Sequence, residues 1–196
     1  MCIISDTSLR ELLFPEEKYD DARKWFEEGN WNTINGKILI YPFDRKNLGP
    51  FSYDLSVGSE AFTLGIKEMI SIDKGEEVVI KPGDVFLVLT QEYIGLPREF
   101  AGSVIPRFSF VRKGIIQSMT KIDPTWFGKV AVAIVNHSKQ PFQLKRGHPF
   151  CTLVIYRLDK PCSRMLNSRD TPALGKESIE YFLEAQKETK IHRCLR

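Results

Sequence analysis

A carboxylate and an aromatic ring stand three residues apart in Lys121-Ile122-Asp123-Pro124-Thr125-Trp126-Phe127-Gly128, just ahead of the apolar run Val130-Ala131-Val132-Ala133-Ile134-Val135. Upstream, Pro106-Arg107-Phe108-Ser109-Phe110 sets a cation beside a hydroxyl, with Arg112 and Lys113 behind them. A carboxylate can orient and deprotonate a water for attack on phosphorus. A flat ring can stack on a sugar. An arginine presents paired donors to phosphate oxygens, and a serine adds one more. These parts would make a nucleotide-hydrolysis site if the fold brings them together. Each has a plainer reading as well. Asp123 before Pro124 could cap the backbone of a turn, Trp126 could be core or subunit interface, and the 112–113 cations could be a solvated face.

The chain that must position them has 196 residues, 42% of them hydrophobic. This is enough for one packed domain, or one domain with a tail. A net charge of +3 provides no strong basic field, so a nucleic-acid partner is not expected. Cys2, Cys151, Cys162 and Cys194 have no metal-ligand spacing and read as free thiols of a reducing cytoplasm. His137, His148 and His192 form no triad or metal pattern, and there is no phosphate-binding glycine loop. The first residues show no basic leader, and no run approaches transmembrane length, so a cytoplasmic protein without a membrane partner is expected.

Residues 5–13 predict a short helix, with capping candidates at its start and Leu9, Leu12 and Leu13 on one face. Residues 20–28 predict a second, with Ala22, Trp25 and Phe26 apolar. From residue 37 to about 158, short apolar runs alternate with Gly, Pro and Asp breaks, at 38–42, 52–55, 77–80, 85–89, 130–135 and 151–158. Such spacing argues for an all-β sandwich or jelly roll. Lys81-Pro82-Gly83-Asp84 and Lys145-Arg146-Gly147-His148 read as hairpin corners. The reading is a domain over 1–160 and a separate loop and helix over 161–196, with Ile179, Phe182 and Leu183 on one side of a helix at 177–190.

The order of apolar runs and turns from residue 3 to 158 resembles the superfamily of deoxyuridine triphosphatases and deoxycytidine triphosphate deaminases. Ile4-Ser5-Asp6, Tyr41-Pro42-Phe43-Asp44 and Leu48-Gly49-Pro50-Phe51-Ser52-Tyr53-Asp54-Leu55-Ser56-Val57-Gly58 are similar to the deaminase branch. Pro106-Arg107-Phe108-Ser109-Phe110-Val111 resembles the Pro-Arg-Ser-Gly-Leu-Ala segment of the triphosphatases, and Lys121 to Gly128 resembles their Gly-Val-Ile-Asp-x-x-Tyr-x-Gly. The loop from Gly114 to Asp123 has triphosphatase length and lacks the deaminases' His-x-Thr-Ala-Gly stretch. Asn136 and Gly147 fall in register.

The resemblance implies a mainly β, distorted jelly-roll barrel with short N-terminal helices and a C-terminal helix, assembled as a homotrimer with sites between subunits. It implies Asp123 as the base and Trp126 under the deoxyribose, where the ring would exclude a 2′-hydroxyl. Arg107 and Ser109 would hold phosphate, with Lys113 nearby. Gln117 and Ile122 belong to the hairpin whose backbone would read a deoxypyrimidine. Asp54 would hold waters of a Mg²⁺ carried by the triphosphate, or else be a structural Asp paired with an arginine. Departures are informative: the deaminases' catalytic Glu falls at Ala133, their Ser after the Arg at Phe108, and the triphosphatases' Gln at Thr152, while their glycine-rich closing segment has no counterpart. Hydrolysis of dUTP to dUMP and pyrophosphate is the leading expectation. Deamination of dCTP is an alternative opposed by Ala133 and Phe108, and a catalytically silent nucleotide-binding or regulatory relative is a third.

Overall fold

The computed structural model describes residues 2–27, 36–66, 68–73 and 76–164. The helix expected at 177–190 lies outside these, as do His192, Cys194 and the side chains of Trp25 and Phe26. In chain order the elements are β1 (Cys2–Ile3), α1 (Asp6–Leu12), α2 (Tyr19–Glu27), β2 (Leu39–Tyr41), β3 (Tyr53–Thr63), β4 (Glu68–Ser71), β5 (Glu77–Ile80), β6 (Val85–Thr90) and β7 (Tyr93–Gly95). There follow β8 (Phe100–Pro106), α3 (Phe108–Val111), β9 (Ile115–Gln117), β10 (Thr120–Ile122), β11 (Phe127–Gly128), β12 (Ala131–Asn136), β13 (Phe142–Lys145) and β14 (Pro149–Arg157).

The expected mainly β, jelly-roll architecture is present. One curled antiparallel sheet runs β10-β8-β14-β3-β6-β12-β9, with β1 on β14 and β4 on β3. A three-stranded sheet, β11-β7-β2, and the pair β13-β5 complete it. Alternation sets the inner face: Val132 and Ile134 of β12 point inward, as do Phe100 and Val104 of β8, and the long β3 buries Tyr53, Leu55 and Val57. Both helices expected near the N-terminus form. Ser5 caps α1 by accepting from Ser8 N at 3.3 Å, and Leu9 is its buried residue. Tyr19 of α2 stacks on Tyr41 at 4.2 Å, and Ala22 joins Phe14, Leu39 and Phe127 in a satellite core against the three-stranded sheet.

The two glycine turns are not hairpin corners. β5 pairs with β13, while β6 pairs with β3 and β12, so Lys81–Asp84 carries the chain from one sheet to another. The 145–148 turn does the same between β13 and β14. Both signals were turn chemistry, and local turn chemistry cannot say which strands will pair. Gly83 and Gly147 take positive φ, +87° and +78°, which is why glycine serves there.

Gly58 answers a different constraint. A Cβ there would sit 2.7 Å from Thr90 O and 2.8 Å from Leu89 O, where β3 shifts register against β6. Backbone cannot yield as a side chain can. Gly58→Ala should therefore cost about 1–3 kcal/mol, the range for overpacking, seen as a fall of several degrees in a thermal melt. An unchanged melting temperature would show that the two strands separate freely here.

Candidate functional site

β14 lies between β3 and β8, with Thr152 opposite Asp54 on one side and Ile105 on the other. This brings Asp54, Thr152 and Arg107, the residue that follows β8, into one cluster. Arg107 Nη1 lies 2.8 Å from Asp54 Oδ2, and Thr152 Oγ1 donates to Asp54 Oδ1 at 2.7 Å. The ion pair leaves the guanidinium partly exposed, with its Nη1 edge buried against Asp54. Gln117 fixes the arginine's backbone. Its Oε1 accepts from Arg107 N at 3.1 Å and its Nε2 donates to Phe150 O at 2.7 Å. Gln117 is buried, with both ends of its amide engaged, and so positions Arg107 rather than presenting its own side chain. Asp54 does pair with an arginine, as one of its two readings holds. Thr152, which the sequence presented as a departure, completes the network.

The remaining candidates lie elsewhere on the chain. Asp123 follows β10, whose Ile122 pairs with Gly102, five residues before Arg107 along β8. At about 3.3 Å per residue this is roughly 16 Å from the Arg107 end of the strand. Lys121 Nζ reaches both carboxylate oxygens of Asp123, 2.6 Å from Oδ1. Ile122 is buried in the main core. Trp126 is half-buried against that core and donates through Nε1 to Gly128 O at 3.2 Å. Thr125 between them takes φ +65°, a left-handed conformation that costs a β-branched residue of order 1–3 kcal/mol and that the sequence reading did not anticipate. Ser109 stands exposed in α3, and Lys113 is exposed with its ammonium over the Phe142 ring at 5.6 Å. One chain therefore assembles Asp54, Arg107, Gln117 and Thr152, but not Asp123 or Trp126 with them.

Ala133 lies on the outward face of β12 with Ala131 and Val135. Its N–H donates to Ser118 Oγ at 3.0 Å, and its carbonyl accepts from Ser118 N. No side chain of that outward row can carry a proton. Glu92, a nearby acid in the sequence, does not reach it. Ala133 pairs with Leu87, whereas Glu92 lies beyond the end of β6 and accepts from Ser56 N at 2.9 Å. Glu92 is almost completely buried, and loss of solvent pushes its carboxyl up to about 7 against hydrogen bonds from Ser56 and its own backbone. The sequence signal for it was slight: one acid between the apolar runs of β6 and β7.

The family described as "dCTP deaminase-like" matches residues 30–158, a span that contains the whole Asp54–Arg107–Thr152 cluster. The chain is 40% identical over 128 residues to a protein named dCTP deaminase from Pyrococcus horikoshii, covering 65% of this chain and 81% of that one. The chain belongs to the dCTP deaminase-like family. A "dCTP deaminase, dUMP-forming" from Dictyoglomus thermophilum is 27% identical over 181 residues, covering 82% of this chain and 86% of the relative. The crystal structure of a 2′-deoxycytidine 5′-triphosphate deaminase from Agrobacterium tumefaciens superposes with a TM-score of 0.58 at 17% identity. It covers 79% of this chain and 47% of that one, a likeness of fold. The sequence relatives are named deaminases, whereas the loop at 114–123 pointed to the hydrolase branch. Among the described residues, no group of three His, Cys, Asp or Glu could hold a metal ion, and no helix is long and apolar enough to cross a membrane.

Proposed function

We propose that this chain binds dCTP and that deamination of dCTP to dUTP is the activity its family membership supports best. The observation that carries the reading is Arg107: a guanidinium paired with Asp54 yet 29% exposed, inside the region that is 40% identical to a named dCTP deaminase. A phosphate oxygen would accept from the donors on the exposed part of that guanidinium. Asp54 and Gln117 hold the arginine ready for it. The described residues do not form a protein-only metal site, so Mg²⁺ would arrive on the triphosphate. There it would neutralise phosphate charge, with Asp54 the carboxylate available to its waters.

Each hydrogen bond to a charged group contributes about 1.5–3 kcal/mol. Arg107→Gln should therefore weaken dCTP binding by about 10–100-fold, measured by calorimetry, with little change in melting temperature. Affinity within twofold of wild type would remove Arg107 from the phosphate site.

Asp123 and Trp126 lie at the far end of β8 from Arg107, so a complete site needs a second copy to bring the two halves together. Phe108, Val111, Ile116 and Met119 support such assembly. They stand 78%, 48%, 53% and 69% exposed around α3 and β9, an apolar stretch suited to being covered. A trimer is the expected form. Light scattering should give about three times the 22.6 kDa chain mass, and a monomer mass at micromolar concentration would contradict the shared site.

Ala133 favours a second reading, binding without turnover, because adding water to C4 and expelling N4 as ammonia needs a group to move protons. Incubating the purified chain with dCTP or dUTP, with ammonia and pyrophosphate assayed separately, distinguishes the cases. Ammonia from dCTP supports the deaminase reading. Binding without ammonia supports the silent one. Pyrophosphate from dUTP alone would overturn both and restore hydrolysis through Asp123.

A further inference from the structure

β14 carries one residue more than β3 at Phe150. Pro149 stands opposite Ser56 and Cys151 opposite Leu55, so Phe150 between them has no partner on β3. Such a bulge leaves its extra residue outside the ladder. The carbonyl of Phe150 is taken instead by Gln117 Nε2 at 2.7 Å, and Gln117 Oε1 accepts from Arg107 N at 3.1 Å. The bulge therefore holds one end of the amide that fixes Arg107.

Ser56 lies beside the bulge, where the β3 ladder runs out. Pro149 opposite it has no N–H to offer. On the other edge, β6 pairs with β3 as far as Thr90 opposite Val57, and β7 then joins the three-stranded sheet. Gln91 N still donates to Ser56 O at 2.7 Å. Ser56 N donates to a side chain, Glu92 Oε2, at 2.9 Å. Thr90 ties down the same segment: its Oγ1 donates to Glu92 O at 2.9 Å and accepts from Val130 N at 3.0 Å. The Glu92 carboxyl thus stands where the next strand carbonyl would be. Ser56, Glu92, Gln117 and Phe150 are all buried, so water does not substitute for any of them.

An apolar side chain of similar size would avoid the cost of burying an acid. It would also leave Ser56 N unpaired in the interior, where an unmet donor is expensive. Two lines lead from Ser56 to Arg107. Two residues back along β3 is Asp54, whose Oδ2 lies 2.8 Å from Arg107 Nη1. Across on β14 is the Phe150 bulge and, through it, Gln117. We infer that Glu92 is a positioning residue for Arg107: by accepting from Ser56 N it fixes β3 against the β14 bulge, and with it both Asp54 and Gln117. Its consequence for dCTP binding rests on the proposed reading of Arg107 as a phosphate ligand.

The test is a double-mutant cycle on the full chain, with dCTP affinity measured by calorimetry well below the melting transition. Glu92→Leu should weaken binding roughly 5–10-fold, within the range for coupled residues. In an Arg107→Gln background the same change should alter affinity by less than about twofold, because its route to the ligand is gone. Glu92→Gln, which keeps an acceptor for Ser56 N, should bind as wild type does. The side-chain amide NMR signals of Gln117, read without nucleotide, report the positioning directly. They should shift in Glu92→Leu and hold in Glu92→Gln. Melting curves show whether each variant is folded. Glu92→Asp, one methylene short of Ser56 N, replaces the leucine variant if that one does not fold, with the same results expected. An unmoved Gln117 signal would overturn the inference. So would an equal loss of affinity in both backgrounds, or, where Arg107→Gln itself weakens binding, a folded Glu92→Leu within about twofold of wild type. An Arg107→Gln chain that binds dCTP as wild type does, while the Gln117 signal moves as expected, would fail the phosphate reading and support the positioning.

Discussion

Replacing Ala133 by glutamate should raise the rate of ammonia release from dCTP by about 10²–10⁴-fold, the range for a positioned general acid–base group. The reaction consumes one water and releases one ammonia. The water must lose a proton as it adds to C4, and N4 must gain one to leave. Along the outward row of β12, Ala131, Ala133 and Val135 offer only methyl groups for this exchange. Ala133 is a tolerant place to add the carboxylate. Both of its backbone groups are tied to Ser118, and its side chain points out of the core. The measurement is kcat for ammonia, beside dCTP affinity and a melting curve for the same variant. If affinity and melting temperature hold while kcat does not move, the missing carboxylate is not what limits this chain. The proton path must then run through residues contributed by another copy. Phe108, 78% exposed where the deaminases carry serine, marks a second position to change in combination.

The fold was more legible than the site, for a physical reason. Period-two patterning in β12 and β14 and the Ser5 cap are local signals, and the strands and helix they mark formed within a residue or two of where they were read. Lys81–Asp84 and the 145–148 turn were legible as turns but not as sheet-to-sheet corners, because pairing is decided by burial of whole strands. The site depends on such pairings. Asp54, Arg107 and Thr152 are separated by tens of residues and meet only because β14 runs between β3 and β8. Thr152 looked like a loss when compared with a glutamine motif, yet it donates to Asp54. Asp123 and Trp126 looked like partners of Arg107 because they share a motif order. The register of β10 on β8 sets them at the other end of the strand. Glu92 carried almost no sequence signal, since its character comes from burial that only the packed chain creates.

That burial makes stability depend on pH in a direction opposite to the usual behaviour of carboxylates. The ordinary value for the group is 4.5, and loss of solvent raises it to about 7 in the folded chain. The folded protein therefore holds this proton more tightly than the unfolded chain does. The associated stability is fully present below about pH 4.5 and is lost as pH rises through 7. At 1.36 kcal/mol per unit, a gap of about 2.5 units corresponds to about 3 kcal/mol. For a chain of this size that is roughly 6–12 °C in melting temperature. Tyr53, raised by burial to about 12, titrates well above this window. Lys129, whose ammonium is disfavoured by burial, feels Glu92 less than it feels Glu60 or Arg146, so the substitution perturbs it little. Glu92→Gln keeps an acceptor for Ser56 N but carries no charge. Its melting temperature should be close to wild type at pH 5 and should exceed it by several degrees at pH 8, because the variant has no buried charge to form. If wild type and Glu92→Gln lose stability in parallel between pH 5 and 8, the carboxyl is already ionised at the lower pH, and hydrogen bonds from Ser56 and its own backbone outweigh its burial.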